Sequence, residues 1–153
     1  MEKEKEIISY SVDETHILAQ EIAKRLWNKS CVLLSGDLGA GKTSLTQGIA
    51  KGLGIKRRIT SPTFTLQKSY EDGRINLHHF DAYRLENSFQ DIGFSEFIEE
   101  DGVCVIEWPE YITPLLPKEY LWIDIIILDE NKRLLKIKAV GEKYEQLLKE
   151  IIC

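Results

Sequence analysis

Cys31-Val32-Leu33-Leu34-Ser35-Gly36-Asp37-Leu38-Gly39-Ala40-Gly41-Lys42-Thr43 is the stretch that decides the fold. Four apolar residues in succession, ending at Ser35 and Gly36, read as a short strand buried on both faces. Glycines at 36, 39 and 41 mark a turn. After Lys42 the apolar residues Leu45, Ile49 and Leu53 return at helical spacing, and Gly52 and Gly54 supply the stop signal. Strand, glycine-rich loop and helix follow one another without a break.

Gly36 to Thr43 matches the pattern G-x-x-x-x-G-K-[ST] in the strand-to-helix context that the pattern requires. Glycines permit close backbone approach, so that the amides of Asp37, Leu38, Gly39, Ala40, Gly41, Lys42, Thr43 and Ser44 can surround phosphate oxygens. The helix that follows adds the partial positive charge of its N-terminus. Lys42 reaches the terminal phosphates, and the Thr43 hydroxyl is a hard oxygen ligand suited to Mg²⁺. The chain therefore reads as a binder of a purine nucleoside triphosphate, ATP in the first instance, with Mg²⁺.

Outward from this core, Ile17, Leu18, Ile22 and Leu26 predict a helix from about Asp13 to Asn28, with Asp13 as its cap. Phe64–Tyr70 and Ile75–Asp81 read as a hairpin about an Asp72-Gly73 turn. Residues 86–101 carry Phe89, Ile92, Phe94, Phe97 and Ile98 among acids and read as amphipathic helix, its aromatics core-forming or partner-facing. Val103–Ile106 is a second buried strand, stopped by Pro109. Tyr120–Leu128 and Leu134–Val140 form a hairpin, and a helix from about Glu142 to Ile152 closes the chain. The expected architecture is a three-layer α/β fold like that of P-loop NTPases. It has a single mixed sheet, parallel and antiparallel, within one domain spanning residues 1–153.

Composition sets limits. With 153 residues, 43% of them hydrophobic, the chain can bury one good core. Its net charge of -5, from 25 acidic and 20 basic residues, disfavours nucleic acid as a direct partner. Cys31, Cys104 and Cys153 lack disulfide or zinc spacing, which fits reducing cytosol. No secretory segment opens the sequence, and the most apolar run, Leu121–Leu128, is too short to span a membrane. A cytoplasmic protein is expected.

Magnesium sites of this kind need an acid at the end of a neighbouring strand. Glu107 follows Val103–Ile106 and is the stronger choice for the metal; Asp81 follows Leu77–Phe80, with Tyr83 and Arg84 beyond it. Ser61-Pro62-Thr63-Phe64 lies where related folds sense the γ-phosphate, so Thr63 is either a switch residue or part of an ordinary turn. His78 and His79 are neighbours on a strand, face opposite ways and are read as structural.

Gly36-Asp37-Leu38-Gly39-Ala40-Gly41-Lys42-Thr43, Ser61-Pro62-Thr63-Phe64-Thr65, His79-Phe80-Asp81-Ala82-Tyr83-Arg84-Leu85 and Val105-Ile106-Glu107-Trp108-Pro109 together resemble the TsaE family, formerly YjeE, in order and spacing. Ser44 and Ala82 are small departures. The resemblance implies a small bacterial ATPase that works with TsaD and TsaB in making the threonylcarbamoyl group on adenosine 37 of tRNAs reading ANN codons. It implies that tRNA is met through that complex, that ADP is the product, and that another protein transfers the group. Carried onto this chain, Lys42 and Thr43 hold phosphate and Mg²⁺, Glu107 holds the metal, Asp81 and Trp108 support hydrolysis or partner contact, and Thr63 is the switch. Weaker similarity places Glu14 and Arg133 beside the base or ribose.

Two rivals use the same cradle: a small-molecule kinase and a non-catalytic ATP-sensing adaptor. An arginine-rich lid would favour the kinase, and none is legible. GTP is disfavoured because Asn131-Lys132-Arg133-Leu134 fails the guanine motif at its last position.

Overall fold

β2 (Cys31–Gly36) runs through the middle of a seven-stranded sheet, parallel to both of its neighbours. Its apolar residues Cys31 to Leu34 are all buried, as a strand covered on both faces must be. In the computed structural model, residues 2–37, 39–60, 67–83 and 101–151 are described.

The other strands are β1 (Glu2–Ser9), β3 (Gln67–Tyr70), β4 (Leu77–Asp81), β5 (Val103–Glu107), β6 (Tyr120–Ile127) and β7 (Arg133–Val140). Their order across the sheet is β1-β7-β6-β2-β5-β4-β3. Strands β6, β2, β5 and β4 are mutually parallel, whereas β1 and β7 on one side and β3 on the other pair antiparallel. The sheet is single and mixed, as expected.

Helices α1 (Val12–Lys24), α2 (Lys42–Gly52) and α3 (Glu142–Glu150) lie on one face. There Leu18, Ile22, Leu45, Ile49 and Leu147 join Val32, Leu34, Val103, Val105 and Ile137 in one core. The opposite face buries Cys31, Leu33, Phe80, Cys104 and Ile106 beneath a run of 3-10 turns, Pro109–Leu115. Helices, sheet and turns are the three layers. Cys31 and Cys104 stand opposite each other there as buried free thiols, and hydrogen bonding to Cys104 together with burial pushes the Cys31 thiol well up.

α2 packs tightly against α1. A Cβ added to Gly48 would fall 2.6 Å from the Ala19 Cβ, so the two helices approach as closely as a glycine–alanine pair allows. Ala19, Ala23 and Ile22 are fully buried in that seam.

Several boundaries differ from those read in sequence. Helix α1 starts at Val12 and is capped by Ser11, whose hydroxyl accepts the Glu14 N–H at 3.1 Å, not by Asp13. It ends at Lys24, four residues short of Asn28, and Ile17 is 60% exposed. Both hairpins are present: β4 begins at Leu77, two residues later than expected, β6 ends one residue early at Ile127, and β7 begins one residue early at Arg133. β1 and the 3-10 run were not foreseen. The stretch around Phe89, Phe94 and Phe97, the start of the first hairpin at Phe64, and Cys153 lie outside the described residues.

Candidate functional site

The P-loop leaves β2 at Gly36 and enters α2 at Lys42. Gly36 has φ 151°, and a Cβ there would lie 2.6 Å from the Ile125 carbonyl oxygen. Gly41, at the N-cap of α2, has φ 113°, a conformation that side-chain-bearing residues rarely adopt. The Ala40 N–H donates to the Asp37 carbonyl at 3.0 Å, and the Leu45 N–H donates to Gly41 at 2.9 Å, closing the loop onto the first helical turn.

Lys42 is buried at the head of α2. Its ammonium donates to the carbonyl oxygens of Gly36 and Asp37 and lies 4.3 Å from the centroid of the Trp108 ring. Burial lowers its pKa, while the charges of Glu107, Asp81, Glu110 and Asp37 act the other way. Trp108 has φ 59° and ψ 49°, which turns the chain sharply off β5 and lays its ring parallel to Tyr111 at 5.5 Å.

β4 and β5 are in register with Asp81 opposite Glu107, and Glu107 stands opposite Leu34 of β2. Both acids therefore reach the strand ends beneath α2. A cleft of about 370 Å³ brings Lys42, Thr43 and Ser44 together with Asp81, Glu107 and Trp108, with Tyr83 at its edge. Burial raises the pKa of Asp81; the Tyr83 N–H bonded to its Oδ1 at 3.0 Å opposes this, and the Glu107 charge adds to it. Glu107 is buried, and its Oε2 is 2.6 Å from Nε2 of His79.

A smaller recess of about 180 Å³ opens on the other side of the loop, between Ser11 and Thr15 of the α1 entry and Asn131 and Arg133 of the β6–β7 hairpin. Gly39, Gly41 and Ser44 line both spaces, so the loop is the wall between them. Arg133 donates from Nε to the Ala40 carbonyl at 2.9 Å and from Nη1 to Asp129 at 2.7 Å, bracing the loop against the hairpin. Glu14 does not line the recess; its carboxylate accepts the Tyr10 N–H at 3.2 Å while its own N–H donates to the Ser11 hydroxyl. Leu38 and Thr63 lie outside the described residues.

The donor set suits Mg²⁺. Thr43, Asp81 and Glu107 offer hard oxygens, and both carboxylates line the same cleft, where burial first and the Glu107 charge after it raise Asp81. Among the described residues no three or more ligating side chains form a ready-made cage. Mg²⁺ needs none, because it keeps water and binds through one or two carboxylates plus phosphate oxygens.

Residues 9–135 match the family model described as threonylcarbamoyl adenosine biosynthesis protein TsaE. The chain belongs to the TsaE family. A Bacillus subtilis (strain 168) relative named tRNA threonylcarbamoyladenosine biosynthesis protein TsaE is 42% identical over 139 residues, 91% of this chain and 88% of that protein. A relative of the same name from Aquifex aeolicus is 42% identical over 139 residues, 90% of this chain and 98% of that one. The crystal structure of the Bacillus protein YdiB superposes with a TM-score of 0.87 at 36% identity, covering 99% of this chain and 95% of that chain.

Three site residues escaped the sequence reading. Glu110 accepts a hydrogen bond from Ser35 at 3.1 Å and adds to the field at Lys42. Tyr111 backs Trp108. His79, read as structural, holds Glu107. Its adjacency to His78 did place the two rings on opposite faces: His78 meets Ser69 and the Asp101 carbonyl instead.

Proposed function

We propose that this TsaE-family chain is a Mg²⁺-dependent ATPase serving threonylcarbamoyl modification of adenosine 37 in tRNAs reading ANN codons. It acts beside TsaD and TsaB, meets tRNA through that assembly, and does not itself transfer the group. The observation that carries this reading is the convergence of Lys42, Thr43, Asp81 and Glu107 on one cleft at the mouth of a P-loop.

The amides from Gly39 to Ser44 cradle the β-phosphate, with the N-terminus of α2 behind them. Lys42 neutralises charge on the β- and γ-phosphate oxygens. Thr43 and Glu107 would hold Mg²⁺, which would offset the remaining phosphate charge. Asp81 and Glu107 orient a water for in-line attack on the γ-phosphorus; the bond to the bridging oxygen breaks and ADP and phosphate result. The recess between Thr15 and Asn131 takes the nucleoside end. Such work belongs in the cytoplasm, and among the described residues no helix is long and apolar enough to cross a membrane.

The sequence assigns no arginine finger, and with catalytic residues supplied by a partner the lone chain is expected to turn over slowly. Phosphate release by the purified protein, alone and then with TsaD and TsaB, tests this for wild type and Lys42→Ala. Slow release that rises on mixing and vanishes in the variant is expected. Transfer of the phosphoryl group to a small acceptor would point to a kinase, and full pathway function in a non-hydrolysing Glu107→Ala variant to an adaptor.

A further inference from the structure

His79 lies on β4 opposite Val105, which sets it one diagonal step from Glu107 on the helix-covered face of the sheet. Its side chain is 0% exposed and that of Glu107 4%, and Nε2 stands 2.6 Å from Oε2. An ionised carboxylate only accepts, and with Glu107 in that form the ring donates from Nε2. Among the described residues, the other ring nitrogen, Nδ1, is buried with no hydrogen-bond partner.

This arrangement is a poor way to fill a core. An aliphatic side chain would occupy the same space without an orphaned nitrogen and without bringing a second polar group to a buried acid. What an aliphatic chain lacks is an N–H that reaches the end of Glu107. Among the described residues no other group hydrogen-bonds that carboxylate.

We propose that His79 is a positioning residue that clamps one oxygen of Glu107 and thereby presents the other to the cleft beside Lys42 and Asp81. The inference rests on the ATPase reading above, because it gives Glu107 an orientation to keep. A buried carboxylate hinged only at its own χ angles can turn its free oxygen away from the cleft. With Oε2 held, the remaining oxygen has one direction. Mg²⁺ tolerates little departure from octahedral geometry, and partners that orient metal-binding groups are worth about 10–100-fold in metal affinity or activity.

The test compares wild type with His79→Leu and His79→Gln, whose amide N–H reaches about as far as Nε2–H. Three quantities are read: calorimetric affinity for ATP in EDTA, affinity for ATP with Mg²⁺, and kcat for phosphate release. His79→Leu is expected to keep wild-type affinity in EDTA, to lose the Mg²⁺-dependent tightening, and to fall about 10–100-fold in kcat; His79→Gln should recover most of both. Wild-type Mg²⁺ dependence and kcat in a folded His79→Leu protein would overturn the proposal, as would a glutamine variant no better than leucine. Long-range ¹⁵N–¹H spectra of the wild-type ring supply a readout independent of turnover and of variant folding. A proton resident on Nε2 is expected, and one resident on Nδ1 would refute the clamp. Wild-type protein that neither binds nor hydrolyses MgATP would sink the ATPase reading itself, and the ring spectrum would still decide whether His79 holds Glu107.

Discussion

Trp108 holds its ring 4.3 Å from the ammonium of Lys42, at the point where β5 gives way to the 3-10 run. A left-handed residue at that turn is what swings the indole back over the head of α2. The tryptophan thus limits where a buried cation can point.

Removing the ring should weaken nucleotide binding without unfolding the chain. A cation–π contact is worth about 0.5–2 kcal/mol, so Trp108→Ala is expected to raise the Kd for MgATP by roughly 2- to 30-fold. Trp108→Phe, which keeps a π-face at that position, should recover part of the loss. Calorimetry on both variants measures it, and an unchanged Kd in Trp108→Ala would leave the contact without a role.

Arg133 ties the P-loop to the β6–β7 hairpin through the Ala40 carbonyl. Hydrogen bonds from charged donors contribute about 1.5–3 kcal/mol, and this half-buried one falls at the low end. Arg133→Ala should cost about 1–2 kcal/mol in chemical denaturation and speed hydrogen exchange at the amides of residues 39–41. Exchange confined to the hairpin tip would show that the loop does not depend on this brace.

Gly48 sets the distance between α1 and α2. Alanine favours a helix over glycine by about 1 kcal/mol, but the added methyl would meet Ala19 and the His16 backbone, and overpacking costs about 1–3 kcal/mol. Gly48→Ala is therefore expected to lower Tm by a few degrees, and the double variant Gly48→Ala/Ala19→Gly to regain part of it. A Tm that rises in the single variant would mean the seam is looser than drawn.

Asp81 gives a pH signature. Burial holds its folded-state pKa above the usual carboxylate value, so the unfolded chain releases this proton first as pH rises. Stability linked to Asp81 is thus present below the unfolded value and is lost as pH climbs through the raised folded one. In nucleotide-free protein, Asp81→Asn should be more stable than wild type at neutral pH, with the difference shrinking toward acid, and should be impaired in phosphate release. Thermal melts across pH 3 to 8 report the trend, and a gap that widens toward acid would reverse the sign.

Much of this site was legible because the P-loop is local: its glycines, lysine and threonine are consecutive, and β2 and α2 announce themselves by run and by spacing. Glu107 and Asp81 were legible as acids ending apolar strands. What sequence could not supply was register. Whether His78 or His79 meets Glu107 depends on Asp81 standing opposite Glu107, a fact of pairing between distant strands. β1 was hidden for a related reason. Glu2 to Glu6 alternate acid and base with no apolar face, and the segment is a strand only because β7 pairs with it along its whole length. Ser11 caps α1 where Asp13 was expected, its hydroxyl taking the Glu14 N–H while the Glu14 carboxylate takes the Tyr10 N–H.

Titration of MgATP into the wild-type protein and into Lys42→Ala by calorimetry tests the central claim most directly. A single saturable site in the wild type, strengthened by Mg²⁺ and weakened at least tenfold in the variant, is the predicted result. No heat of association in the intact wild type, or equal affinity in the variant, would contradict it.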